Sequence, residues 1–202
     1  STANHFIEAL GARVKEGLDV RGVPTSKATE ELAREHGIPL VRLHDYPHLD
    51  LTVDGADEFD PEFRLIKGGG GALLREKIVA SSSRFMVVIA DESKRVKKLG
   101  KFPLPVEVVV FGIKATIWKI ERAFKFLKLD VKMVLRVKDG NPFVTENGNF
   151  ILDCSIGEIP DPARLEGLLK SIPGVVETGL FIGICGIVLM GTPKGVTEFK
   201  RG

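Results

Sequence analysis

The chain has no surplus of either charge. Lys+Arg total 29 against 27 Asp+Glu, a formal net charge of +2 over 202 residues. No global basic field therefore points to nucleic acid. Its two cysteines, Cys154 and Cys185, lie far apart in neither metal-binding nor redox spacing. That fits a reducing, cytoplasmic compartment, with both thiols serving as small core hydrophobes. The four histidines gather no metal site on sight: His44 and His48 are four apart, but Pro47 breaks the helix that would align them. The longest nearly uncharged apolar run, 179–191, falls short of the ~20 residues a bilayer crossing needs, and no signal peptide is visible. Internal repeats and low-complexity tracts are also lacking. The one glycine run is GGGG rather than G-x-G-x-x-G, and it follows Lys67 instead of opening the first βαβ unit. DGADEFD lacks the alternating aspartates and terminal glutamate of an EF-hand loop.

What is present is a chain 44% hydrophobic and 28% charged, enough for a real core in one domain or a domain with a small companion. Apolar periodicity predicts helices over 3–14, 27–36 and 72–80. Between them, short apolar runs at 18–23, 38–43, 51–53 and 84–90 read as strands. Strands alternating with helices imply an α/β fold, a Rossmann-like, mostly parallel sheet flanked by helices. From 106 the rhythm changes. Strand signals at 106–111, 131–137, 143–145, 149–154 and 175–181 enclose helices at 114–127 and 161–171, with Asn147-Gly148 as a hairpin signal and Pro162 suited to a first helical turn. The order β-α-β-β-α-β is that of a ferredoxin-like unit. The expected division is an α/β domain over 1–106 and 181–202 and a smaller α+β domain over 107–180, with 184–190 returning to the first sheet.

The chemistry concentrates in LTVDGADEFDPEFRLIKGGGGALLREK, residues 51–77. Asp54 and Asp57 follow the end of a buried strand, where ligands collect in open α/β sheets. Gly68, Gly69, Gly70 and Gly71 lead into a helix start, and such a ribbon leaves peptide N–H groups available for an anion. Lys67 precedes the glycines, and Glu76 lies about one turn into the helix. Each feature alone has a plainer account: a capping turn, a flexible loop, a solvated glutamate. Their joint spacing points to carboxylates, an ammonium and an N–H nest around one small volume. Ser1 and Thr2 at the first helix start, and Thr25 and Ser26 at a later strand-to-helix turn, add hydroxyl pairs suited to capping or to a phosphate. In the basic run Lys94, Arg95, Lys97, Lys98 and Lys101, the last has Gly100 and Phe102-Pro103 as neighbours that hint at a fixed position.

VDGADE (53–58), IKGGGGALLREKI (66–78) and LGKFPLPVEV (99–108) together resemble ribose-5-phosphate isomerase of the A type, and the resemblance extends over essentially the whole chain. It implies an aldose–ketose isomerase of the non-oxidative pentose phosphate pathway that interconverts D-ribose 5-phosphate and D-ribulose 5-phosphate through an enediolate. By position in these motifs, Glu76 would be the general base and Asp54 would help open the sugar ring. Lys67 with the N–H groups of Gly68, Gly69 and Gly70 would stabilise the oxyanion. The turn Asp54, Gly55, Ala56 and Asp57 would hold sugar hydroxyls, Lys101 would bind substrate, and Ser1 and Thr2 would end the family's phosphate turn. Relatives carry a helix, a strand and the first half of that turn ahead of this point. An N-terminal helix and first strand are therefore expected to be missing here.

No redox step is implied, so no cofactor is expected, and a lysine with peptide N–H groups can carry the charge a metal would otherwise carry. The expected partner is a small phosphorylated sugar, with no nucleic acid and no membrane. The resemblance implies a homodimer or homotetramer. Two rivals are a non-catalytic sugar-phosphate sensor, which would not need Glu76, and an acyl- or CoA-transferase with a glutamate nucleophile, for which no CoA tunnel is marked.

Overall fold

A computed structural model describes residues 2–202. In chain order the elements are α1 (Thr2–Lys15), α2 (Lys27–Glu35), β1 (Thr52–Asp54), β2 (Glu58–Phe59), β3 (Leu65–Ile66), α3 (Leu73–Ser81), β4 (Met86–Asp91), β5 (Leu104–Val108) and α4 (Ile113–Phe126). They continue with β6 (Lys132–Leu135), β7 (Val137–Lys138), β8 (Asn141–Pro142), β9 (Phe150–Ser155), α5 (Pro162–Lys170), β10 (Val175–Thr178), β11 (Leu180–Phe181), β12 (Ile187–Thr192) and β13 (Gly195–Lys200). The chain forms two compact units. One takes residues up to Gly55 with Arg75–Glu92 and Gly186–Gly202, and the other takes Ala56–Leu74 with Ser93–Cys185. The second unit thus includes 56–74, 93–106 and 181–185, stretches that the sequence division places in the first.

The first unit carries the α/β sheet, in the order β1-β4-β12-β13. β1, β4 and β12 run parallel, and β13 folds back antiparallel on β12. Strand β4 alternates buried and half-buried residues, with Met86, Val88 and Ala90 inward. Helices α1 and α2 bury Ile7 and Ala33 beside Ile38, with Phe6, Leu10, Val14 and Leu32 packed around them. Ser26 caps α2, its Oγ accepting the Thr29 N–H at 3.1 Å. The strands expected at 18–23 and 38–43 reduce to one parallel bridge, Gly22 to Leu40. Pro24 and Pro39 explain this, since a proline has no N–H to extend a ladder. Residues 195–200 form β13 without a strand signal in the sequence. Five of these six residues are exposed, so they show no apolar alternation that would announce one.

The second unit is built on a four-stranded antiparallel sheet in the order β10-β5-β9-β6. Numbered within the β-α-β-β-α-β run that the sequence predicts, the spatial order is 4-1-3-2, which the sequence does not give. All five residues of β5 are buried. Val106 and Val108 join Ile120, Phe124, Leu152, Leu165 and Leu169 in the core. Asp161 caps α5 through the Arg164 N–H at 3.0 Å, with Pro162 in the first turn. The hairpin falls at Asp139-Gly140 between β7 and β8, not at Asn147-Gly148. Asp139 (φ 52°) and Gly140 (φ 77°) both take the left-handed backbone that a two-residue hairpin requires. Asn147-Gly148 makes only a local turn, closed by the Gly148 N–H on Thr145 O at 2.9 Å. A smaller sheet, β11-β3-β2, completes the unit.

Both cysteines are free and buried. Burial, with the Asp153 carboxylate as a secondary cause, pushes the Cys154 thiol well above its ordinary value. Among the described residues no helix is long and apolar enough to cross a membrane, and no group of His, Cys, Asp or Glu is placed to hold a metal ion.

Candidate active site

The residues singled out from the sequence fall in both units. Thr2, Asp54, Gly55 and Glu76 lie in the first, and Ala56, Asp57, Lys67, Gly68, Gly69, Gly70 and Lys101 in the second. Ser1 lies outside the described residues.

In the first unit, Asp54 ends β1 at the carboxyl edge of the parallel sheet, the edge at which open α/β sheets bind ligands. Its Oδ1 accepts the Gly55 N–H at 2.7 Å, which turns the chain sharply out of the strand. A cavity of ≈ 150 Å³ beside it is lined by Pro24, Thr25, Val53 and Asp54 among others. Thr25 therefore faces the same space as Asp54, whereas Ser26 is taken up by its cap. Thr2 is exposed in the first turn of α1. Glu76 is half-buried in the first turn of α3, and its Oε2 is shielded from solvent.

In the second unit, Lys67 is 3% exposed. It is held from both sides of its backbone. Its N–H donates to Gly179 O at 2.9 Å, and a Cβ added at Gly179 would stand 2.3 Å from the Lys67 carbonyl oxygen. The ammonium lies 5.5 Å from the centre of the Phe181 ring, close enough for the ring's negative face to favour the cation. Gly68 takes φ 105° and Gly71 φ 87°, and the Gly71 N–H closes a turn on Gly68 O at 3.0 Å. Only glycine enters such backbone without strain.

The loop is fastened at both of its polar edges. Asp57 Oδ2 accepts the Gly69 N–H at 2.7 Å. That takes the Gly69 donor, expected from the sequence to face an oxyanion, into the protein's own structure. On the carbonyl side, Arg136 Nη1 donates to Gly68 O at 2.8 Å and to Gly69 O at 3.2 Å. Arg136 is itself held by a two-pronged pair with Asp153, Nε to Oδ2 at 2.9 Å and Nη2 to Oδ1 at 2.6 Å. Sequence reading missed Arg136, because nothing local ties residue 136 to residue 68. It also passed over Glu58 and Asp60. Asp60 is buried and builds the β2–β3 turn through Glu62 N–H, Arg64 N–H and the Arg64 guanidinium. Glu58 is buried and accepts the N–H groups of Gly100 and Phe102, on either side of Lys101. Lys101 itself is exposed and borders a cleft with Lys97, Lys98 and Glu158.

The family described as ribose 5-phosphate isomerase A (phosphoriboisomerase A) matches residues 21–195. A relative from Parvibaculum lavamentivorans named ribose-5-phosphate isomerase A is 58% identical over 196 residues, covering 96% of this chain and 85% of that protein. Among solved structures, ribose 5-phosphate isomerase A from Methanocaldococcus jannaschii aligns with a TM-score of 0.90 at 44% identity, over 100% of this chain and 88% of that one. A D-ribose-5-phosphate isomerase in complex with phospho-erythronic acid aligns with a TM-score of 0.89 at 40% identity, over 98% and 86% of the two chains. Sequence and fold agree along nearly the full length, and the chain belongs to the ribose 5-phosphate isomerase A family.

Proposed function

We infer that this chain interconverts D-ribose 5-phosphate and D-ribulose 5-phosphate. The observation that carries the reading is the 58% identity, over 96% of the chain, to a protein named for that activity. The phosphorylated acid bound by a 40% identical structure adds to it. The sensor alternative draws nothing from these relatives, which are named as isomerases.

The reaction moves one proton between adjacent carbons. In the open aldose, the Glu76 carboxylate takes the proton from C2, and the electrons of that bond form the C1–C2 double bond as charge moves onto O1. Lys67 and the N–H groups of Gly68 and Gly70 stabilise that oxyanion, at about 3–4 kcal/mol for each well-aimed donor. Glu76 returns the proton to C1 while the proton of the O2 hydroxyl passes to O1, which leaves a hydroxyl at C1 and the ketone at C2. Asp54 and Asp57 hold sugar hydroxyls with Gly55 and Ala56 between them, and Asp54 assists ring opening. Ser1 and Thr2 bind the phosphate, and Lys101 binds the substrate. Support for these roles is the match of each residue to its motif. The shielded Oε2 of Glu76 and the carboxyl-edge position of Asp54 are in keeping with them. We assign the enzyme to the cytoplasm as a homodimer or homotetramer, by the same family likeness.

Glu76→Gln tests the base. The amide keeps the shape and cannot accept the proton, so kcat should fall at least ~100-fold while the KM for ribose 5-phosphate changes little. A variant that turns over at the wild-type rate removes Glu76 from the chemistry.

A further inference from the structure

We propose that Glu58 is a positioning residue for Lys101, acting through the peptide groups on either side of it. The proposal rests on the reading of Lys101 as a substrate-binding lysine. Glu58 sits on β2 and is 3% exposed. Its Oε2 accepts the Gly100 N–H at 2.7 Å and its Oε1 the Phe102 N–H at 2.5 Å. One carboxylate therefore grips both peptide N–H groups that bracket residue 101, and each bond is strengthened by the full negative charge.

The rest of the turn leaves no slack. Gly100 has φ 120°, and a Cβ there would lie 1.7 Å from Gly157 O. The Ile159 N–H donates to Leu99 O at 2.8 Å. The turn thus has one geometry, set from two directions, and the Lys101 side chain projects from it into solvent. A lysine loses considerable rotamer freedom when it holds a ligand. If its backbone also wandered, binding would lose that freedom as well. Glu58 removes the second loss in advance, so the expected signature is in substrate affinity rather than in the proton-transfer step.

Glu58→Gln keeps the shape but turns one acceptor into an NH2 donor facing an N–H, which breaks one grip and makes it repulsive. The test compares wild type, E58Q, K101M and the double variant by steady-state kinetics with ribose 5-phosphate. K101M should raise KM about 30-fold and E58Q about ten-fold, each with kcat within about three-fold of wild type. In the K101M background E58Q should add less than about two-fold, because the two act through one contact. An E58Q effect of equal size in both backgrounds, or one that falls on kcat alone, overturns the proposal. K101M with a wild-type KM overturns it by a different route, through the role of Lys101. The distinction is visible because the clamp is also read directly. In the wild-type protein, amide hydrogen exchange at Gly100 and Phe102 should be far slower than at Lys97 and Lys98. If Gly100 and Phe102 exchange as freely as those two, the clamp does not exist, whatever the folding of the variants.

Discussion

Replacing Arg136 with methionine would keep the aliphatic stem and remove the guanidinium that ties the glycine loop to the ferredoxin-like sheet. The backbone at 136 is already fixed by the Arg136 N–H on Ile151 O and the Phe143 N–H on Arg136 O, both at 2.8 Å, so the change isolates the side chain. Four hydrogen bonds disappear, two to Asp153 and two to the carbonyls of Gly68 and Gly69. Hydrogen bonds to charged groups contribute about 1.5–3 kcal/mol each at most, and bonds that share one side chain do not add. The pair is partly open to water, with Arg136 14% and Asp153 26% exposed. Asp153 can therefore rehydrate, which brings the loss below the ~3–5 kcal/mol of a fully buried pair. We expect a loss of about 2–3 kcal/mol, which for a chain of this length lowers Tm by roughly 4–12 °C. Arg136→Lys keeps the charge but not the fork and should recover less than half of the loss. Thermal unfolding followed by circular dichroism reads the first effect. Steady-state kinetics read the second, a fall in kcat/KM as the loop loses its carbonyl anchors. An R136M enzyme with Tm within 1 °C of wild type and unchanged kcat/KM, both within assay error, would refute the reasoning.

Three further outcomes are expected. Gly179→Ala should destabilise the protein by at least ~3 kcal/mol and depress kcat, because the new methyl would sit 2.3 Å from Lys67 O and 2.7 Å from Pro105 Cδ; denaturant titration with kinetics checks both. Cys154 should resist thiol reagents in the native state and react on unfolding, as a colorimetric thiol assay can show. Its raised folded value means that its contribution to stability is intact below its ordinary 9.0 and declines as pH rises beyond that point, where the unfolded chain ionises first. Turnover should survive exhaustive chelation; activity lost with chelator and restored by a divalent ion would contradict the assignment of charge stabilisation to Lys67 and peptide N–H groups.

The helices were legible because their signals are local. Apolar periodicity and the Ser26 and Asp161 caps sit within a few residues of the turns they shape. The β-α-β-β-α-β succession of a ferredoxin-like unit was legible along the chain, whereas the order of its strands in the sheet was not. The fastenings of the site were not, because their partners are distant in sequence. Of the four carboxylates between 54 and 60, the sequence marks Asp54 and Asp57 and says nothing of where Glu58 and Asp60 turn. Folding turns Glu58 onto Gly100 and Phe102 and Asp60 onto Arg64, while Asp54 ends its strand and Asp57 holds Gly69. The position of the hairpin is not set locally, for a related reason. Asp-Gly and Asn-Gly carry the same turn preference, and the choice between them belongs to the strands each can join.

The parallel pairing of β4 with β12 sets Val87 beside Ile187, and that pairing imposes a schedule on the chain as it is made. At synthesis rates of about 5–20 residues per second, the nascent β4 waits roughly 5–20 s for its neighbour. Through that interval its apolar edge is unpaired and open to mispairing, while the intervening residues already contain every strand of the ferredoxin-like sheet. The segment Gly186–Gly202 carries none of the proposed chemistry, yet it decides when the unit bearing Asp54 and Glu76 first exists as a folded object.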